Sequence, residues 1–215
     1  MIILIGGEKG GTGKTTISTN LAAMRSNETG DLLLIDTDKQ SSASSWTAIR
    51  ENVKEVKRIA SIQKFGKSLT SEIAELKKKF ADIVVDAGGR DSIELRAAMM
   101  VADKLVIPIQ PSQFDIWTLG TMNDLVAQVG TFNPTLKAYV VINRGSSNPS
   151  VNEINDAKEL MDTFDYLTLC QTTIIDRIAF RKAAQRGLSV CELSPKEGKQ
   201  AAEEIQNLYK EVFHG

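Results

Sequence analysis

The stretch that decides the fold is the opening one, Met1-Ile2-Ile3-Leu4-Ile5-Gly6-Gly7-Glu8-Lys9-Gly10-Gly11-Thr12-Gly13-Lys14-Thr15-Thr16. Residues 2–5 are uniformly apolar and strand-length, which suits a strand buried on both faces. The run stops at glycines. Gly10, Gly11 and Gly13 let the backbone curl so that successive N–H groups point inward, a cradle for phosphate oxygens. Thr15 then opens a helix expected over residues 15–24, whose positive end faces the same point.

Outward from this loop, strand and helix patterns alternate along the chain. Further apolar runs predict strands over 32–35, 59–62, 83–86, 105–109, 138–142 and 169–174. Between them, helical patterns span 44–53, 69–80, 93–102, 116–129 and 151–164, followed by two terminal helices, the last over 196–213. Strands too apolar to have a solvated face, separated by helices, mean a mostly parallel sheet covered on both sides. The expected fold is one doubly wound α/β domain over residues 1–215, with no repeat and no linker that would divide it.

Composition narrows the function. In 215 residues, 26 Lys+Arg balance 27 Asp+Glu, so binding to a polyanion requires a local patch rather than a global field. Cys170 and Cys191 match no metal or redox spacing and are expected to be small buried residues in a reducing compartment. No apolar run approaches the roughly 18 residues of a membrane span, and the N-terminus lacks the layout of a secretory signal. The expected location is the cytoplasm.

In open parallel sheets, ligands sit at the carboxyl ends of the strands. That rule gathers the loop 10–16 after the first strand, Asp36 and Asp38 ending the second, and Asp86 ending the fourth. In this arrangement Gly10, Gly11, Thr12, Gly13, Lys14, Thr15 and Thr16 hold a nucleotide. Lys14 serves the β/γ-phosphates and Thr15 serves Mg²⁺ through its hydroxyl. Asp86 is the partner for a magnesium-bound water. Asp38 orients an attacking water, or caps the next helix or supports the metal. Asp36 is structural or supports the metal, and Asn143, ending a later strand, hydrogen-bonds adenine or shapes a turn. Glu8 stands where the general phosphate-loop pattern has its first glycine, so its carboxylate must turn from the phosphates.

The set Lys9 to Thr16, Asp36-Thr37-Asp38-Lys39-Gln40, Ile83 to Asp86, Pro108 to Ser112, Val141 to Arg144 and Arg177 to Val190 resembles the ParA/MinD family of deviant Walker A ATPases, nearest its small partition members. Lys39 replaces that family's usual proline. The resemblance implies ATP and Mg²⁺ as cofactors and an ATP-dependent homodimer in which Lys9 reaches the partner's nucleotide; otherwise Lys9 is a solvated loop cation. Lys9, Lys14 and Asp38 are the expected catalytic residues.

The resemblance further implies ATP-gated, nonspecific DNA binding on the nucleoid and a ParB-like centromere-binding partner that stimulates hydrolysis, so that the main expectation is DNA partition. Because the chain opens on its first strand, no operator-binding extension is expected. The candidate DNA-binding residues are Arg177, Arg181, Lys182 and Arg186, although the wheel separates them into two pairs and a solvated helix explains such charges equally well. Three alternatives stand beside partition. A MinD-like membrane ATPase is disfavoured because the last helix carries Glu197, Glu203, Glu204 and Glu211 among its lysines, wrong for anionic lipid. An ATPase positioning a protein cargo shares all of this chemistry and differs only in partner. A metabolic ATP-dependent enzyme is the third.

Overall fold

The computed structural model describes residues 1–148, 153–161 and 163–215. The elements run β1 (Ile2–Ile5), α1 (Lys14–Thr29), β2 (Leu32–Asp36), α2 (Ser42–Arg50), β3 (Ala60–Gln63), α3 (Leu69–Lys77), β4 (Asp82–Asp86), α4 (Ile93–Met99) and β5 (Lys104–Ile109). They continue through α5 (Gln113–Gly130), β6 (Lys137–Gly145), α6 (Glu153–Met161), β7 (Thr168–Ile175) and α7 (Ile178–Gln185). A short 3-10 turn, Val190–Glu192, precedes α8 (Pro195–His214). The strands form one seven-stranded sheet in the order β3-β2-β4-β1-β5-β6-β7, and every pairing is parallel. This is the doubly wound α/β fold expected from the alternating pattern.

Alternate residues of the central strands feed two cores. Ile2 and Leu4 of β1 point into a cluster with Leu69, Leu95, Leu119 and Ala157 from α3, α4, α5 and α6. Ile3 and Ile5 point the other way, onto Ile17, Trp46, Ala183 and Ile205 from α1, α2, α7 and α8. At about 25 cal/mol per Å² of buried apolar surface, these two layers are the main favourable term in the fold.

The strands lie where the apolar runs predict them, with β6 extended to Gly145. Helix ends differ more. α1 continues to Thr29 because its polar last turns are used: Arg25 Nε donates to Asp82 at 2.7 Å, and Gly30, at φ +73°, closes the helix. α2, α3 and α4 each stop about one turn earlier than their periodicity suggests. The helix expected over 151–164 is described as Glu153–Met161; residues 151, 152 and 162 lie outside the described residues.

The acids of α8 have a structural use. β7 is an edge strand, and the N–H groups of Gln171 and Thr172 donate to Glu211 at 2.7 and 2.8 Å, while that of Ile175 donates to Glu204 at 3.1 Å. Side chains therefore occupy hydrogen-bonding positions that would otherwise invite another strand. The apolar face of α8 is spent on the core: Ala201, Ile205, Leu208, Tyr209, Val212 and Phe213 are buried. Among the described residues, no helix is long and apolar enough to cross a membrane.

Candidate nucleotide site

β1, β2 and β4 are neighbours in the sheet, so their carboxyl ends deliver the loop 6–13, Asp36 and Asp86 to one place. The loop needs its glycines at two kinds of position. Gly11 and Gly13 have φ of +79° and +96°, and a Cβ on Gly13 would lie 2.1 Å from the Asn143 amide. Across the site, a Cβ on Gly89 would lie 2.8 Å from Gly10 Cα and 2.9 Å from Lys14 Nζ. Gly89 thus lets the loop after β4 close against the phosphate loop.

Lys14 is buried and its ammonium donates to the main-chain oxygen of Lys9 at 2.6 Å. Burial lowers its pKa, while Asp86 and Asp38 act in the opposite direction. Asp86 is fully buried and accepts from Thr15 Oγ1 and Ser18 Oγ, both at 2.7 Å. Burial pushes its pKa up to about 7; the two hydroxyls oppose the rise and Asp36 adds to it. Asp36 accepts from the Asp38 N–H at 3.0 Å and from the Ser44 N–H and hydroxyl at 2.9 and 2.8 Å. It therefore shapes the turn that presents Asp38 and ties it to α2. Asp38 caps the Gln40 N–H at 2.9 Å, and its carboxylate stands within 3.6 Å of the Cβ position of Gly88.

Gly10, Gly11, Asp38, Gly88 and Gly89 line a cleft of about 610 Å³, with Lys39 and Arg90 on its walls. Behind the loop, Thr16, Asn143, Arg144 and Phe180 line a smaller recess of about 100 Å³. The Asn143 amide donates to the Thr12 carbonyl at 2.6 Å, so in this structure it braces the loop. Thr12 Oγ1 is buried and finds no hydrogen-bond partner among the described residues. A glycine cradle, an orphaned hydroxyl, a buried lysine and a carboxylate bridged by two hydroxyls fit a metal-bound nucleotide.

Sequence reasoning gathers Lys9, Lys14, Thr15, Asp36, Asp38 and Asp86 here, and the structure brings them together. It misses Ser18 and Ser44; only the spacing of Ser18, one turn beyond Thr15, signals that it shares a helix face with it. The candidate cations on and beside α7 divide among separate acidic partners. Arg177 bonds Glu204 at 2.7 and 2.9 Å and Gln200 at 2.7 Å, and Arg186 bonds Glu197 at 3.1 and 3.3 Å. Arg181 stands 3.8 Å from Asp176, and Lys182 is exposed. Cys170 is buried and Cys191 half-buried; burial raises both thiol pKa values, that of Cys170 to about 12.

This fold and this site define a phosphate-loop nucleotide-binding protein. The chain belongs to the CobQ/CobB/MinD/ParA nucleotide-binding domain family, whose profile matches residues 3–190. It is 28% identical over 211 residues to the maintenance of carboxysome distribution protein A of Halothiobacillus neapolitanus, covering 95% of this chain and 93% of that one. Among solved structures, apo McdA of Cyanothece superposes with a TM-score of 0.78 at 18% identity, covering 96% of this chain and 98% of the other. A putative plasmid partition protein of Borrelia burgdorferi, bound to AMPPNP, superposes with a TM-score of 0.72 at 22% identity, covering 98% of each chain.

Proposed function

We propose that this protein is a Mg²⁺-dependent ATPase that positions a protein cargo, cycling between an ATP-bound homodimer on nonspecific DNA and a released form. The observation that carries the chemistry is the cluster Lys14, Thr15, Ser18 and Asp86 beneath the loop, with Asp38 across the cleft. The likeness over nearly the full chain to a protein named for maintaining carboxysome distribution supports a protein cargo over the plasmid or chromosome expected from sequence. The stimulating partner is then an adaptor on that cargo, in place of a centromere-binding protein of the ParB kind.

Mg²⁺, when bound with ATP, neutralises phosphate charge and fixes the geometry of transfer. The chain's residues do the remainder. Loop N–H groups hold phosphate oxygens, and Lys14 exchanges the Lys9 carbonyl for them. Thr15, Ser18 and Asp86 would hold the metal. Asp38 orients the attacking water. Lys9, delivered from the partner subunit, stabilises charge developing on the phosphate only once the dimer has formed.

Deleting the gene from its host tests the cargo directly. The expected result is a clustered or mislocalised protein body with normal inheritance of all replicons. Loss of a plasmid with undisturbed protein bodies would restore the partition reading, and an auxotrophy relieved by a metabolite would favour an ATP-dependent metabolic enzyme.

A further inference from the structure

Arg50, at the end of α2, is 1% exposed although it carries a charge. Four of its five N–H donors are engaged. Nε donates to the Lys57 carbonyl at 2.8 Å, Nη1 to the Gly187 carbonyl at 3.1 Å, and both terminal nitrogens to Glu192 at 2.7 Å. The Trp46 ring lies 5.2 Å from its carbon centre. Glu192 in turn accepts from the Ser189 N–H at 2.8 Å. Gly187 packs so tightly here that a Cβ would lie 2.5 Å from Arg50 N.

One planar group therefore staples the loop after α2 to the turn after α7. The residue next to Lys57 is Arg58, and the residue before Gly187 is Arg186, both exposed. Lys54 and Lys57 are exposed on the same loop, interleaved with the exposed Glu51 and Glu55, and Arg181 and Lys182 are exposed on α7; Lys57 is held by the Asn27 carbonyl at 3.1 Å. Lys54 and Arg58 make no ion pair among the described residues. The pair that occupies Arg186 is solvent-exposed, and such pairs exchange readily for another anion. The apolar face of α8 is buried, so this surface offers polar charge without an inserting helix.

We propose that the surface contacting DNA phosphates is composite, formed by Lys54 and Arg58 of the α2–β3 loop together with Arg181, Lys182 and Arg186, and held as one piece by the Arg50 staple. This rests on the DNA-binding step of the function proposed above. The chemistry is that of backbone contact: dispersed, flexible cations reaching phosphates without reading bases. The sequence alone places this role on α7 only.

The test is retention of arbitrary-sequence duplex DNA by the full chain with ATP over a range of salt. Lys54→Ala with Arg58→Ala should weaken retention on the order of tenfold and reduce the log–log salt slope by about 0.9 for each phosphate that is no longer neutralised. The mass of the ATP-bound form in sedimentation should not change. Lys54→Arg with Arg58→Lys should keep the original slope. Unchanged affinity and slope in the alanine variant, with weakening confined to Arg181→Ala and Lys182→Ala, would overturn the composite surface and leave DNA binding standing. Failure of the unaltered protein to bind DNA under any nucleotide would overturn the DNA-binding step itself. Retention on anionic vesicles but not DNA, abolished in the same alanine variant, would assign the cations to a membrane and overturn the inference.

Discussion

Asp86 concentrates the conflict between stability and function at one residue. It is wholly buried, and burial raises its pKa from the ordinary 3.8 to about 7. A carboxyl whose folded pKa lies above its unfolded value favours the fold at low pH. That contribution is lost as pH rises from about 4 through about 7, because the native state must then hold a buried charge. Asp86→Asn should therefore raise the melting temperature of the nucleotide-free protein at pH 8 and change it little at pH 5, while removing Mg²⁺-dependent nucleotide binding. Equal stabilisation at both pH values, read by differential scanning calorimetry, would contradict the buried-charge account. Lys9→Ala belongs at the same scale. Equilibrium binding of labelled ATP by the monomer should survive, whereas ATP-dependent dimerisation should be lost and turnover should fall by about 10³-fold, the low end for a cation supplied in trans. Full turnover in this variant would return Lys9 to the role of an ordinary loop cation.

Elements are legible in proportion to how local their causes are. The central strands β1, β2 and β4 announce themselves because each is a short run dominated by Ile, Leu and Val and buried on both faces, whereas the edge strand β3, Ala60–Gln63, is half polar and unburied. The phosphate loop is legible for a different reason: its chemistry needs glycines and a lysine at fixed spacing. Helix ends are not, because they depend on distant partners, as α1 depends on Asp82 for its last turns. Ser18 and Ser44 stay hidden because a serine on a helix carries no pattern of its own. The staple is hidden more deeply, since Arg50 and Glu192 lie 142 residues apart. Burial works to raise the Glu192 pKa, and the Arg50 hydrogen bonds outweigh it and hold the carboxyl below its usual range. Removing one member of such a pair leaves the other charge buried and unpaired. Arg50→Ala should cost about 3–5 kcal/mol in urea unfolding. A decrease below about 1 kcal/mol would show that α2 and the turn after α7 hold together without it.

At the scale of the whole molecule, the proposed ATP-bound dimer makes the site half of a larger one. The loop, Asp38 and the wall made by Gly88 and Gly89 open onto a cleft at the carboxyl edge of the sheet. The two flanking cores take up the helices on either face, so among the described residues no helix is left to close that cleft from above. A second copy facing the first would cover both nucleotides and bring each Lys9 to its neighbour's phosphates, making ATP the joint between subunits. Assembly, DNA contact and cargo movement then share one switch. Sedimentation of the full chain with Mg²⁺ and either a nonhydrolysable ATP analogue or ADP tests this most directly. The account predicts a dimer with the analogue and a monomer with ADP; a monomer in both, at saturating nucleotide, would contradict it.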